Sequence, residues 1–101
     1  MFFLLSTNLS GLLGVTAING TLNISQNNVL TSLSGLDNIN HTTITSINIY
    51  SSEVLSVCNV PSICSYLAAG GGNYITGNAN GCSNASQVVV ACGGSVGCEN
   101  I

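Results

Sequence analysis

The sequence predicts a parallel β-solenoid with coils of about 24–26 residues and one or two short helices in a C-terminal, cysteine-bearing coil. Two observations predict this fold. The chain repeats itself at a step of about twenty-four residues, which is the length of one solenoid coil. The repeated stretches alternate apolar and polar residues between glycines and asparagines, a pattern typical of short strands joined by turns. Each coil needs a neighbour because it cannot bury its apolar face alone.

The repeat is visible in three pairs of segments that share a spacing and a pattern. The sequence LSGL at 9–12 returns at 33–36, the alternating stretch at 21–25 returns at 46–50, and residues 29–31 return at 54–56.

The two-residue periodicity places strands near 21–25, 46–50 and 73–76. Alternate side chains of a strand point to opposite faces, so Asn23 and Asn48 point outward. Successive coils run in the same direction, and the sheet is therefore parallel. One isoleucine from each strand forms an internal stack at the strand spacing of about 4.8 Å, namely Ile24, Ile49 and Ile75.

The pattern changes in the second half of the chain, where it predicts helices. Pro61 suits the first position of a helix that runs to about residue 69 and ends at three consecutive glycines. A second helix begins after Ser83 or Asn84, in a capping-box arrangement, and runs to about Cys92. A strand is the alternative for this segment, because its three consecutive valines are weak helix formers.

These boundaries divide the chain into three parts. Repeat coils occupy 1–57, a cysteine-containing closing coil occupies 58–92, and a flexible tail or linker occupies 93–101. The apolar stretch at 2–5 is interpreted as the tail of a preceding coil rather than a signal peptide, because it lacks a basic n-region and the apolar run breaks at Ser6.

The lack of positively charged residues limits the kinds of molecule that this chain can bind. The 101 residues include no Lys or Arg and three acidic residues, whereas a soluble domain carries about 25% charged residues. Nucleic acid and anionic membranes are excluded as partners, because no cation neutralises phosphates. No apolar run is long enough to span a bilayer. Polar side chains, attached sugars or burial in an assembly must keep the surface soluble.

The five cysteines indicate an oxidising compartment and a disulfide framework, and hence an extracellular or cell-surface location. Zinc is the alternative, but the cysteines lack the short paired spacing of zinc sites and His41 is the single histidine. We expect neither a metal nor a cofactor.

The predicted second helix constrains the cysteine pairing. It separates the Cα atoms of Cys82 and Cys92 by more than about 10 Å, while a disulfide tolerates no more than about 7 Å. These two cysteines are therefore not expected to bond each other. The favoured pairing joins Cys58 to Cys82 on stacked coils and Cys64 to Cys92 between the helices, leaving Cys98 free or in an intermolecular bond.

Residues 32–39 (SLSGLDNI) and 55–68 (LSVCNVPSICSYLA) resemble secreted bacterial surface proteins with leucine-rich-repeat-like, receptor-L-domain-like coils. Residues 76–82 and the segment that ends at Cys92 resemble the cysteine-bearing closing coil of that group. The resemblance covers nearly the whole chain and implies a right-handed parallel solenoid with leucine-rich-repeat-like coils, secretion and often a larger protein. It implies no enzymatic activity, and it leaves open whether the chain is a fragment or a full subunit.

No set of residues supports catalysis, so we expect a protein that is not an enzyme. Asp37, His41, Glu53 and Glu99 are scattered and lie in no nucleophile or metal motif. No loop has the regular oxygen ligands that calcium requires. His41 is interpreted as a surface residue, and Asp37 is expected to accept hydrogen bonds from turn amides.

Five Asn-x-Ser/Thr triplets are candidate glycosylation acceptors. A chain this rich in Asn, Ser and Thr also produces such triplets by chance. N- or O-linked glycosylation would nevertheless explain how a surface with so few charges stays soluble. The five acceptor positions are Asn8, Asn19, Asn23, Asn40 and Asn84.

Two functional classes remain. The first is a structural module or subunit of an extracellular cell-surface protein or filament that assembles head-to-tail through apolar ends. The second is an adhesin-type module that binds glycans or proteins on its exposed sheet face, for which Tyr50 and Tyr74 lie on successive strands. For the first class, the apolar residues of one end meet those of the next copy: Phe2, Phe3, Leu4 and Leu5 meet Val88, Val89 and Val90.

Overall fold

Three parallel strands and two helices form from residues 8–93, the part of the chain that the structure, a computed structural model, describes. Strands β1 (Gly20–Ser25), β2 (Ile44–Tyr50) and β3 (Asn73–Thr76) make one sheet in the order β1-β2-β3. Helix α1 (Pro61–Ala68) lies between β2 and β3, and helix α2 (Ala85–Ala91) follows β3. Because neighbouring strands are parallel, each connection crosses back to the start of the next strand.

The internal isoleucine stack is confirmed. Ile24 is paired with Ile49 in the register of β1 and β2, and Ile49 is paired with Ile75 in the register of β2 and β3. Their exposed fractions are 0%, 0% and 6%. β2 begins earlier than the periodicity predicted, at Ile44, because this side chain is also buried in the core. The period of two along each strand therefore decides which side chains enter the core.

Each strand ends at a residue with positive φ. Gln26, Ser51 and Gly77 follow β1, β2 and β3, with φ angles of 56°, 55° and 69°. A positive φ is uncommon for residues other than glycine and turns the chain sharply out of the extended conformation. The same turn therefore follows all three strands.

A column of buried polar groups lies behind these turns. The backbone N–H of Asn27 donates to Ser52 Oγ at 3.2 Å, and the backbone N–H of Ser52 donates to Asn78 Oδ1 at 3.0 Å. Asn78 Nδ2 donates to the carbonyls of Ile49 at 3.0 Å and Cys82 at 2.9 Å. Buried backbone groups need such partners, because an unpaired one costs about 1–3 kcal/mol. The column thus satisfies backbone groups that the turns remove from the sheet.

Helix α1 has the start that the sequence predicted, with Pro61 in its first turn. Ile63 and Tyr66 face the core, with exposed fractions of 0% and 4%. The Tyr66 hydroxyl donates to the carbonyl of Gly72 at 2.8 Å, so the polar end of this buried side chain has a hydrogen-bond partner. This helix fills the connection between β2 and β3 and packs its apolar face into the core, against α2 and the 3₁₀ turn His41–Thr43.

Helix α2 confirms the predicted helix, and the alternative strand is wrong. Asn84 caps the helix by accepting the backbone N–H of Gln87 at 2.9 Å, and Val88 is fully buried. The reciprocal bond of a capping box is not made. Gln87 Oε1 instead accepts the backbone N–H groups of Gly81 at 2.7 Å and Ser83 at 3.2 Å, which ties the preceding loop to the helix.

Two disulfides tie the C-terminal part together. Cys58 is bonded to Cys82 with a Cα separation of 5.9 Å, and Cys64 is bonded to Cys92 with a Cα separation of 5.7 Å. These are the two pairs that the sequence argument favoured, and Cys82 is not bonded to Cys92. Disulfides persist in oxidising, extracellular-type environments and are rare in reducing compartments. Cys98 lies outside the described residues.

The predicted solenoid fold class is wrong. Between residues 8 and 93 the fold is a small compact domain with one three-stranded parallel sheet, which does not close, and two helices. The radius of gyration is 12.5 Å, close to the value of about 12 Å for a globular domain of this length.

Outside the strands the sequence repeat is only partly a structural repeat. Backbone hydrogen bonds join equivalent positions, such as Leu9 to Ser34 and Leu33 to Val57, but the local conformation differs. The first LSGL motif contains a single 3₁₀ turn, Ser10–Leu12, whereas the second has Gly35 at a φ of 120°, where a Cβ would collide with the backbone of Leu9. Among the described residues, the pairing outside the sheet is one isolated bridge between Ser32 and Val57. The connections therefore differ in local conformation from one strand to the next.

Some predictions fall on residues that the structure does not describe. They are the apolar stretch at 2–5, the tail beyond Gly93 and, within that tail, Cys98 and Glu99. Of the helices within residues 8–93, none has the length and apolar character needed to cross a bilayer.

Candidate functional site

The sheet has an apolar face that packs into the core and an opposite face that carries polar and aromatic side chains. We call the second the outer sheet face. It follows from the strand period, since residues on either side of each buried leucine or isoleucine point away from the core. Its members are Thr21, Asn23, Ser46, Asn48, Tyr50, Tyr74 and Thr76.

An aromatic pair lies on the outer sheet face, where the end of β2 meets the edge strand β3. Tyr50 in β2 and Tyr74 in β3 have ring centroids 5.6 Å apart and an interplanar angle of 66°, an edge-to-face arrangement. The register pairs Tyr50 with Thr76 and Tyr74 with Asn48, so the two rings meet diagonally across the strands. Tyr74 is 57% exposed, which is high for a large aromatic side chain. The pair therefore offers an aromatic surface to solvent.

A row of amides runs beside the aromatic pair. Asn23, Asn48 and Tyr74 occupy one register position on β1, β2 and β3. Both asparagines are half-buried. The Asn23 Oδ1 atom is buried and has no hydrogen-bond partner. Because a carboxamide both donates and accepts hydrogen bonds, this row presents both kinds of group next to an aromatic ring.

The next row toward the start of the strands is occupied by hydroxyl groups that bond each other. Thr21 Oγ1 and Ser46 Oγ are 2.9 Å apart across β1 and β2. This cross-strand bond stabilises the pairing of the two strands and fixes the position of both hydroxyls. The outer sheet face thus contains hydroxyl, amide and aromatic rows, and none of its members is charged.

The titratable residues do not converge on a catalytic centre. Asp37 Oδ1 accepts the backbone N–H of Gly35 at 3.0 Å, which confirms the predicted turn bond. His41 lies in the 3₁₀ turn His41–Thr43, and Glu53 is exposed after β2. No group of three or more His, Cys, Asp or Glu side chains within residues 8–93 could hold a metal ion.

The predicted glycosylation acceptors differ in exposure. Asn8, Asn19, Asn40 and Asn84 are exposed, and Asn23 is half-buried within β1. Asn19 has a φ of 55° and lies directly before β1. The sequence signal is the same triplet at every position, so burial and local hydrogen bonds distinguish them.

The predicted self-association residues are not equivalent either. Val88 is fully buried in the chain's own core, so its assignment to a contact with a neighbouring copy is wrong. Helical periodicity explains this, because Val88 lies on the face of α2 that packs inward. Val89 lines a groove between the helices together with Leu67, and Val90 is 58% exposed. Only Val89 and Val90, of these three valines, are accessible to another molecule.

Comparison of the chain with protein-family models, with curated proteins and with solved structures finds no match.

Proposed function

We propose that the chain is an extracellular recognition module that binds neutral carbohydrate on its outer sheet face. The observation that carries this proposal is the pair of half-buried Tyr50 and exposed Tyr74, 5.6 Å apart beside the half-buried amide of Asn48. It corresponds to the adhesin-type alternative of the sequence analysis, for which aromatic residues on successive strands were the distinguishing feature.

The chemistry of this face suits a sugar ring. The face of an aromatic ring carries partial negative charge, which attracts the positively polarised C–H groups on the apolar side of a sugar. The amide of Asn48 both accepts and donates hydrogen bonds, as a pair of neighbouring sugar hydroxyls does. The Oδ1 of Asn23 is buried and has no partner among the described residues, so it reaches a ligand hydroxyl only if its side chain turns outward. Apolar contact and polar orientation are thus available side by side.

The charge distribution favours a neutral ligand over a charged one. The outer sheet face has no charged member, and the full chain has no Lys or Arg. An acidic sugar would find no cation to pair with its carboxylate or sulfate. The two disulfides indicate an oxidising location, where carbohydrate of cell surfaces and matrices is available.

Binding to immobilised neutral and acidic oligosaccharides, followed by calorimetry on the best ligand, tests the proposal. We expect Tyr74→Ala to weaken neutral-glycan binding by about tenfold or more, since tenfold corresponds to about 1.4 kcal/mol. Val90→Ala is a matched control, because Val90 is similarly exposed but lies on α2. Unchanged binding in Tyr74→Ala, or equal loss in both variants, contradicts the proposal.

A structural role through self-association is the second candidate. It is supported by the near absence of charge and by the exposed apolar side chain of Val90, which lines a different groove from Val89. Sedimentation of the 101-residue chain and of Val90→Ser is the test. We expect the wild-type chain to form higher oligomers and the variant to shift toward monomer. A wild-type monomer across the accessible concentration range contradicts it.

A further inference from the structure

One of the five acceptor triplets has a local geometry that the others lack. Asn40 Oδ1 accepts two hydrogen bonds from Thr42, from its backbone N–H at 3.0 Å and from its hydroxyl at 2.8 Å. The first and third residues of the triplet are therefore joined directly, through the hydroxyl that defines the motif. His41, the middle residue, is half-buried and is not proline, as the motif requires.

The remaining polar atoms of Asn40 are held as well, with one exception. Its backbone N–H donates to the carbonyl of Thr16 at 2.7 Å, and its carbonyl accepts from the backbone N–H of Thr43 at 3.0 Å and from the Thr43 hydroxyl at 2.7 Å. The side-chain nitrogen, Nδ2, makes no hydrogen bond to any described residue. Asn40 is exposed, so a rigidly held residue presents its amide nitrogen to solvent.

We infer that Asn40 is the N-glycosylation acceptor that the folded chain presents. In the transfer step, Nδ2 forms a bond to the anomeric carbon of a sugar diphosphate donor. The bond from that carbon to the diphosphate oxygen breaks, and its electron pair leaves with the diphosphate. One amide proton passes to a base of the transferase. The two hydrogen bonds from Thr42 hold Oδ1 in place while Nδ2 reacts.

The other exposed acceptors lack this arrangement. Asn84 Oδ1 is bonded to the backbone N–H of Gln87, as a helix cap, and not to Ser86 of its own triplet. Asn8 Oδ1 accepts the backbone N–H of Ser10 at 3.0 Å but has no bond to the Ser10 hydroxyl.

The two acceptors at the first strand, one directly before it and one inside it, also lack this arrangement. The Thr21 hydroxyl of the Asn19 triplet is bonded to Ser46 in β2, and Asn23 lies inside β1. Modification at Asn23 requires β1 to open locally, at a free-energy cost. Asn19 is exposed, but the hydroxyl of its triplet is held by Ser46 and not by Asn19. The structure thus ranks five triplets of the same sequence motif by their local geometry.

A glycan at Asn40 would also supply solubility that the chain's charge does not. Glycans are bulky and solubilising, and they occupy surface positions. The inference is independent of the carbohydrate-binding proposal, because Asn40 precedes β2 and is not a member of the outer sheet face. A glycan attached to the protein and a glycan bound by it are therefore tested separately.

The experiment treats the oxidised 101-residue chain with a soluble N-glycosyltransferase that accepts folded proteins and with its nucleotide-sugar donor. Chymotryptic peptides are mapped by mass spectrometry, since trypsin finds no Lys or Arg. We expect initial labelling at Asn40 to exceed that at Asn23 by about tenfold or more, because Asn23 must wait for local opening. In the reduced, alkylated and denatured chain, the preference should disappear.

Variants at the third position test whether labelling at Asn40 depends on the hydroxyl of residue 42. Thr42→Ser keeps the hydroxyl and should retain labelling at Asn40, whereas Thr42→Val should abolish it. Asn84→Gln is the matched control at another exposed cap, and it should leave the Asn40 label unchanged. Non-reducing peptide maps verify both disulfides in each variant. Preferential labelling of another triplet in the folded chain, or undiminished labelling of Thr42→Val, overturns the inference.

Discussion

The two halves of the described chain are stabilised by different interactions. Residues 8–57 contain β1 and β2, which are six and seven residues long, and no cysteine precedes Cys58. Residues 58–93 contain β3, which is four residues long, both helices and both disulfides. Long strands with buried isoleucines pair through side-chain packing and backbone hydrogen bonds. A short edge strand buries less surface, and the covalent bonds lie where that packing is smallest.

Truncation of the central isoleucine should have the largest effect on stability. Ile49 lies between Ile24 and Ile75 and is fully buried, so it connects the two halves. We expect Ile49→Ala to lower the free energy of unfolding by about 4 kcal/mol, through lost transfer energy and the cavity left behind. Urea denaturation of the oxidised protein measures it.

Ile75→Ala is the matched control for this prediction. It removes the same atoms from an edge strand, where a side chain that is 6% exposed has a neighbour in one strand only. We expect a smaller loss than for Ile49→Ala. Equal losses would show that the stack does not couple the two halves.

Removal of the buried disulfide should have the next largest effect. Cys58 and Cys82 close a sequence separation of 24 residues. Replacing both with Ala should cost about 3 kcal/mol, since the unfolded chain regains the entropy of that open loop. Hydrogen exchange monitored by mass spectrometry locates the effect, and amides of α1 and β3 should exchange faster while those of β1 change little. Equally faster amide exchange in both halves would show that this disulfide does not stabilise the second half alone.

Loss of the Asn78 side chain should have a smaller effect. Asn78→Ala leaves the backbone N–H of Ser52 and the carbonyl of Ile49 without their partners, at a cost of about 2 kcal/mol. Thermal unfolding measures the change. Asn73→Ala is the control, because Asn73 is exposed and its side chain bonds only the nearby Gly71 carbonyl. A loss of stability of similar size in Asn73→Ala would mean that the buried hydrogen bonds of Asn78 contribute no more than an exposed one.

The elements of the fold were predicted with more success than their arrangement. The strand period identified Ile24, Ile49 and Ile75, because alternation is a local property that each strand expresses independently. The helix at Pro61 was similarly marked by residue types. The solenoid was wrong because equal spacing in sequence does not fix the path between strands. Gly35 and its counterpart Gly11 lie in the same motif but in different backbone environments.

The candidate site was predictable only in part. The register of two strands brought Tyr50 and Tyr74 within reach of each other in the sequence argument. Two features of the structure depend on side-chain conformations, which no sequence pattern specifies. They are the unpartnered Oδ1 of Asn23 and the two hydrogen bonds that Thr42 donates to Asn40. Val88 was misassigned because three identical neighbours in a helix face different directions, and only packing decides which of them is buried.

The two disulfides overlap along the chain, and this has a mechanical consequence. Cys64 lies inside the loop that Cys58 and Cys82 close, and Cys92 lies beyond it. Tension applied at residues 8 and 93 passes from Cys64 directly to Cys92, so the 28-residue separation between them contributes nothing to extension. At about 3.4 Å per residue, about 95 Å of contour length stays hidden until the protein is reduced. When the protein is stretched in oxidising conditions, residues before Cys58 would unfold and extend, while the segment between Cys64 and Cys92 could not extend.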